Sequence, residues 1–165
     1  MSSPSEQTSI RTVLLGTLVV LFAMGTRATF GLFMQPMGLA QGWSREVFAL
    51  AFAWQNLVWG AASILMGMMA DRFGSGRTIA LGALLAALGF CGMQFASTEM
   101  AFYLSAGLLV GLGQAGITFP VILPVVARVV PPASRSTAMG IVSAGGSLGQ
   151  FLVVPAGQWM IDTFQ

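Results

Sequence analysis

Gly67–Thr78, GMMADRFGSGRT, gathers Asp71, Arg72 and Arg77 into one short stretch. On either side charge vanishes: neither Val47–Ala70 nor Thr78–Thr98 contains a single Asp, Glu, Lys or Arg. Each flanking run matches or exceeds the roughly 20 apolar residues that cross a hydrocarbon core as a helix. A brief charged segment between two such runs is a loop joining two membrane helices, with Gly74 and Gly76 able to turn the chain tightly.

The pattern repeats outward. Met100–Ala127 and Ser136–Ile161 are uncharged, and Thr12–Ser44 is broken by Arg27 alone. The runs are continuously apolar and do not alternate, so they read as helices and not as barrel strands. The expected fold is all-α, a polytopic membrane helical bundle of five transmembrane helices at about 12–36, 44–70, 77–97, 100–129 and 134–161. Residues 1–11 form a polar tail, and 12–165 form one bundle without a linker. Composition agrees: 56% of residues are hydrophobic and 7% charged, against roughly 25% charged in a soluble domain. Soluble helices would also need a polar stripe, and these have none.

Arg11 precedes an apolar run too long for a signal peptide, so the first helix is expected to be retained. Alternating five spans places Arg11, Arg72, Arg77, Arg128 and Arg135 on one side and Arg45 on the other. The positive-inside rule then makes the amino terminus cytoplasmic. No basic patch with interleaved aromatics exists, so nucleic acid is not an expected partner. Ser44 is placed to cap the second helix, with Glu46 in its first turn and Trp43 stapling onto Phe48. Pro131, Pro132 and Ser134 separate the last two helices. Short loops predict antiparallel packing of consecutive helices.

Arg27 is the residue that demands a function. A cation at this depth costs several kcal/mol unless it faces protein or a water-filled cavity. Three readings stand: it holds an anion or lines a cavity, it pairs with a carboxylate on a helix outside this chain, or it snorkels to the outer headgroups. Other deep polar residues are few. Gln55, Asn56, Trp59 and Ser63 fall near one face of the second helix, and Gln114 and Thr118 share a face of the fourth. Such groups either line a path or bridge helices. Gly107 and Gly111, Gly145 and Gly149, and Gly82 and Gly89 are spaced for close helix packing. Pro120, Pro124 and Pro155 are expected to interrupt the fourth and fifth helices. The chain has no His and one Cys, Cys91. Neither a metal site nor a cofactor site nor a nucleophile beside a base is expected, and the chain does not read as an enzyme.

The loop resembles the signature of the major facilitator superfamily: Gly67, Asp71, Arg72, Gly74 and Arg77 fit its spacing, between the second and third spans where the family carries it. RATFGLFMQPM and GWSREVFALAFAWQNLVWG, preceding it in that order, resemble the bacterial monocarboxylate and oxalate/formate porters of that superfamily. The resemblance implies a secondary transporter of small organic anions working by alternating access in a bacterial inner membrane, with a coupling proton or counter-anion. It implies a substrate site near Arg27, Phe30, Gln55, Asn56 and Gln114, and a loop acting as a conformational latch between two halves. Its two halves each hold six helices, so five helices imply a partial amino-terminal half, ending at WMIDTFQ, that needs its carboxy-terminal half or an equivalent partner. The superfamily's fourth helix usually carries an arginine where Gly107 stands. Two alternatives remain: a non-transporting helical remnant or regulatory subunit, and a transporter of an uncharged or cationic drug-like solute.

Overall fold

A computed structural model describes residues 4–164, and among these it contains helices and no strand. In chain order they are α1 (Pro4–Ala28), a 3₁₀ turn (Thr29–Phe33), α2 (Met34–Gln41), α3 (Arg45–Phe73), α4 (Ser75–Gln94), α5 (Glu99–Phe102), a π segment (Tyr103–Leu109), α6 (Val110–Ile117), α7 (Phe119–Val129), a second 3₁₀ turn (Pro132–Ser134) and α8 (Arg135–Phe164). Five stretches are long and apolar enough to cross a membrane: Glu6–Phe33, Arg45–Phe73, Ser75–Gln94, Glu99–Val129 and Pro132–Thr163.

Several boundaries differ from the sequence expectation. Residues 4–11 are helical, the opening turns of α1; residues 1–3, and Gln165, lie outside the described residues. The first span tightens after Arg27 into the 3₁₀ turn and then runs on to Gln41. Pro36 has no N–H to offer the carbonyl one turn before it, and the Thr26 and Thr29 hydroxyls donate to Phe22 O and Thr26 O at 2.7 Å each, which together favour the tighter turn. Gly42, at φ +69°, ends α2 in the left-handed conformation that glycine adopts freely. Ser44 occupies the N-cap position of α3, but its side chain makes no capping bond; its carbonyl accepts from Val47 N at 3.2 Å instead. Trp43 does meet Phe48, and Phe102 completes the cluster with centroids 5.2 and 5.3 Å away.

The contacts of the chain form two compact units: a terminal unit of residues up to Leu32 with those from Ile122 onward, and a central unit, Phe33–Val121. In the terminal unit the first span packs on the fifth. A Cβ added to Gly145 would meet Thr17, one on Gly149 the Leu21 carbonyl, one on Gly25 Val153, and one on Gly157 Thr29. Every pair keeps the same sequence offset, so α1 and α8 run parallel, joined along an every-fourth-residue ladder of small side chains. Pro155 sits inside α8 without breaking it.

In the central unit α4 packs antiparallel to the fourth span, where added Cβ atoms on Gly82 and Gly89 would lie 2.8 Å from Gly113 O and Val110 N. α3 runs parallel to the same span, with Gly107 against Trp54 and Gly111 against Gln55 O and Val58. Gly107 and Gly111 serve one neighbour while Gly113 and Gly116 serve the other. Consecutive antiparallel pairing therefore describes the third and fourth spans, whereas the close partners of the first and second within their units run parallel to them.

Candidate functional site

Arg27 occupies the last turn of α1, where the carbonyl end of the helix dipole favours a cation. At 3.6 residues per turn it shares a stripe with Val20, Ala23 and Met24, all at most 5% exposed. Gly16, on the same stripe, faces Ile122 and Val126 of α7. The outward residues Leu18 and Phe22, 50% and 61% exposed, lie roughly 180° and 140° around the helix from Arg27. Arg27 is itself half-buried. Phe30, just beyond it in the 3₁₀ turn, is 5% exposed. These two expected site residues therefore stand together in the terminal unit, on the side of α1 turned away from its most exposed apolar face.

Gln55, Asn56 and Gln114 belong to the central unit. Gln55 is 1% exposed, and its Nε2 donates to Ala106 O at 2.8 Å, bridging α3 to the fourth span, while its Oε1 has no partner. Gln114 is fully enclosed. Asn56 is half-buried and donates to Phe52 O of its own helix at 2.7 Å. Trp59 Nε1 donates to Thr118 Oγ1 at 3.0 Å, and that hydroxyl donates in turn to Gln114 O at 2.6 Å. This buried relay was only half legible from spacing. Its cause is a break in the fourth span at Thr118, whose backbone is extended at φ −117°, ψ −166°. Pro120 supplies no N–H to the carbonyl of Gly116, so α6 stops and the hydroxyl returns to the carbonyl one turn back. The break precedes the proline, and Pro124 lies inside an unbroken α7.

The charged loop is a one-residue hinge. Gly74, at φ +93° and ψ 141°, separates α3 from α4, donates to Ala70 O at 3.1 Å, and accepts from the Thr78 amide and hydroxyl at 3.4 and 3.3 Å. Only glycine takes that conformation without strain. Asp71, Arg72 and Arg77 are exposed around it, with the Arg72 guanidinium 5.3 Å from the Phe73 ring centroid. Gly67 is half-buried, with open space where a Cβ would lie.

Two grooves open on the units. One, of about 540 Å³, runs along α3 and the start of the fourth span between Leu50, Trp54, Leu57, Met100, Tyr103 and Leu104. The other, of about 650 Å³, lies in the terminal unit beside Glu6, Ser9, Ser134 and Thr137. Neither is lined by Arg27, Phe30, Gln55, Asn56 or Gln114. Among the described residues no group of three His, Cys, Asp or Glu side chains could hold a metal ion.

Five membrane-length helices, a glycine hinge flanked by Asp71, Arg72 and Arg77, and parallel pairing of alternate spans are the features that comparison with known proteins has to explain. The major facilitator superfamily model matches residues 16–165. The chain belongs to the major facilitator superfamily. It is an integral membrane protein. Among curated members it is 29% identical to "Probable anion transporter 4, chloroplastic" of Arabidopsis thaliana over 144 residues, covering 85% of this chain and 26% of that protein. It is 35% identical to monocarboxylate transporter 11 of Homo sapiens over 118 residues, 72% of this chain and 24% of that one. It is also 32% identical to multidrug resistance protein MdtH of Aeromonas salmonicida over 127 residues, 74% of this chain and 30% of that one. The chain thus spans about a quarter of the length of the superfamily relatives it matches. Within the superfamily pattern, the missing fourth-helix arginine has a steric counterpart: a Cβ at Gly107 would lie 2.5 Å from Trp54 Cδ1. Trp54 fills the space into which a longer side chain would grow.

Proposed function

We propose that this protein acts in secondary transport of small organic anions of the monocarboxylate kind, by alternating access, with Arg27 as the anion anchor. The observation that carries the reading is the place of Arg27 on α1, on the stripe of Val20, Ala23 and Met24 and far around from Leu18 and Phe22. That is where a cation is kept from lipid, and from there a guanidinium can hold a carboxylate through two parallel charge-assisted hydrogen bonds. Phe30, in the same unit, supplies an apolar flank, and Asn56 offers a polar amide within its own unit. Gln55 and Gln114, enclosed in their own unit, position the second and fourth spans. The Gly74 hinge and its charges form the latch, on the cytoplasmic side of an inner membrane, and a coupling proton or counter-anion accompanies the substrate. Arg27 and Phe30 provide part of one wall of the site, and a carboxy-terminal half or an equivalent partner faces them. The likeness to relatives named as anion and monocarboxylate transporters supports the substrate class.

Uptake of a labelled monocarboxylate such as lactate into proteoliposomes tests the reading. It is measured with the 165-residue chain and with the whole polypeptide of its reading frame. Saturable flux that falls at least about a hundredfold in Arg27→Gln, the scale of one lost charge-assisted contact, is expected. Absence of flux from both preparations, or unchanged flux in Arg27→Gln, overturns it. The likeness to a protein named for multidrug resistance favours a second reading, transport of an uncharged or cationic drug-like solute with Arg27 paired to a carboxylate; flux of a drug-like solute without carboxylate flux selects it.

A further inference from the structure

The fourth span contains a seven-residue π segment, Tyr103–Leu109, with α-helix on either side. A π segment carries one residue more per turn than α-helix needs, so some carbonyls lose their ordinary partners. Where they go can be followed atom by atom. In α register Val110 N–H would donate to Ala106 O. It donates instead to Ser105 O and Gly107 O, one position on either side. The bypassed Ala106 O accepts from Gln55 Nε2 of α3 at 2.8 Å. At the other end of the segment the Ser105 hydroxyl donates to Ala101 O at 2.8 Å and Phe102 O at 3.2 Å. Gln55 is thus bound to the one carbonyl that α register would return to Val110, and it is held there, 1% exposed, with its Oε1 unsatisfied.

We infer that Gln55 is a register lock: it holds the fourth span in the π register, and its release lets residues 99–106 advance by one position against α3 and α4, the extra residue being absorbed between Ala106 and Val110. In the α register Ala106 takes the place of Ser105, Ser105 that of Leu104, and Leu104 that of Tyr103. The groove of about 540 Å³ is lined in the π register by Tyr103 and Leu104; the shift exchanges the phenol for a leucine and brings in the Ser105 hydroxyl. Tyr103 in turn enters the place of Phe102, fully buried against Trp43 and Phe48. Burying a phenol there opposes the shift, so two distinct states result instead of a sliding continuum. The inference does not depend on the identity of the transported solute.

Crosslinking reads the register directly. An added Cβ on Gly92 of α4 lies 2.9 Å from Ser105 Cβ, close enough for a disulfide once the pair relaxes to about 3.8 Å. In a Cys91→Ala background, Gly92→Cys is combined with Ser105→Cys in one protein and with Ala106→Cys in another. With Gln55 present the 92–105 crosslink should dominate. Gln55→Leu should move the ratio toward 92–106 by roughly three- to tenfold, the equilibrium weight of one net hydrogen bond. Gln55→Asn, too short to reach Ala106 O yet still polar, should do the same and serves if the leucine variant fails to fold. A ratio unchanged in the folded variants, or equal loss of both crosslinks, overturns the lock and leaves Gln55 a packing residue.

Discussion

Gly149→Ala probes the parallel pairing of α1 and α8 at its tightest point. The new methyl would press on the carbonyl of Leu21, a backbone group that cannot rotate away, so the helices must separate. Overpacking of a close-packed contact costs about 1–3 kcal/mol, and an obstruction by backbone belongs at the upper end. Alanine returns up to about 1 kcal/mol through its higher helix propensity. The net loss is about 1–2 kcal/mol, which for a chain of this size lowers the melting midpoint by roughly 2–8 °C. Gly140→Ala is the control, because nothing lies within 4 Å of its added Cβ, and only the propensity gain of up to about 1 kcal/mol should remain. The assay is thermal unfolding in detergent micelles, followed by helical circular dichroism, for the three proteins side by side. If Gly149→Ala melts with or above the parent while Gly140→Ala behaves as stated, the ladder is not a close contact and the parallel register of the first and fifth spans is wrong.

Thr118→Val removes the acceptor of Trp59 Nε1 and the donor to Gln114 O together, and should cost about 0.5–2 kcal/mol in the same melting experiment. Gly74→Ala forces a side chain into a conformation at φ +93° that costs about 1–3 kcal/mol outside glycine, so its midpoint should fall even though the position is exposed. Gly107→Arg, which installs the residue the superfamily usually has there, should fold poorly alone. With Trp54→Ala added it should recover much of the loss, and a double-mutant cycle showing no coupling beyond about 0.5 kcal/mol would refute the steric account.

Span number and fold class were legible in the sequence because both depend on where charge is absent, and apart from Arg27 every charge here falls outside the five apolar runs. The glycine ladders were legible too, since small residues at every fourth position have few other uses in lipid. What spacing could not supply was partnership. Gly145 and Gly149 announce a close neighbour without saying that it is α1, or that it runs parallel, because that choice depends on contacts between residues more than a hundred positions apart. The π segment left no mark: Tyr103–Leu109 has the composition of any membrane helix, and only the hydrogen bonds of Val110, Ser105 and Gln55 reveal the extra residue. The break at Thr118 was displaced from its expected site because Pro120 acts through the N–H it withholds from the preceding turn. For the site, Arg27 stood out by charge alone. Gln55 and Asn56, adjacent in sequence, part company in the structure: one bridges to the fourth span, and the other bonds back to its own helix.

Whether Arg27 faces water, as an anion anchor must, is measured most directly by its accessibility. In Arg27→Cys with Cys91→Ala, a membrane-impermeant, negatively charged methanethiosulfonate reagent should label the thiol faster than a thiol placed at Leu18, on the exposed apolar side of α1. Labelling at position 27 no faster than at position 18, with both thiols reacting only with a lipid-soluble reagent, would place the arginine against the acyl chains and contradict the account.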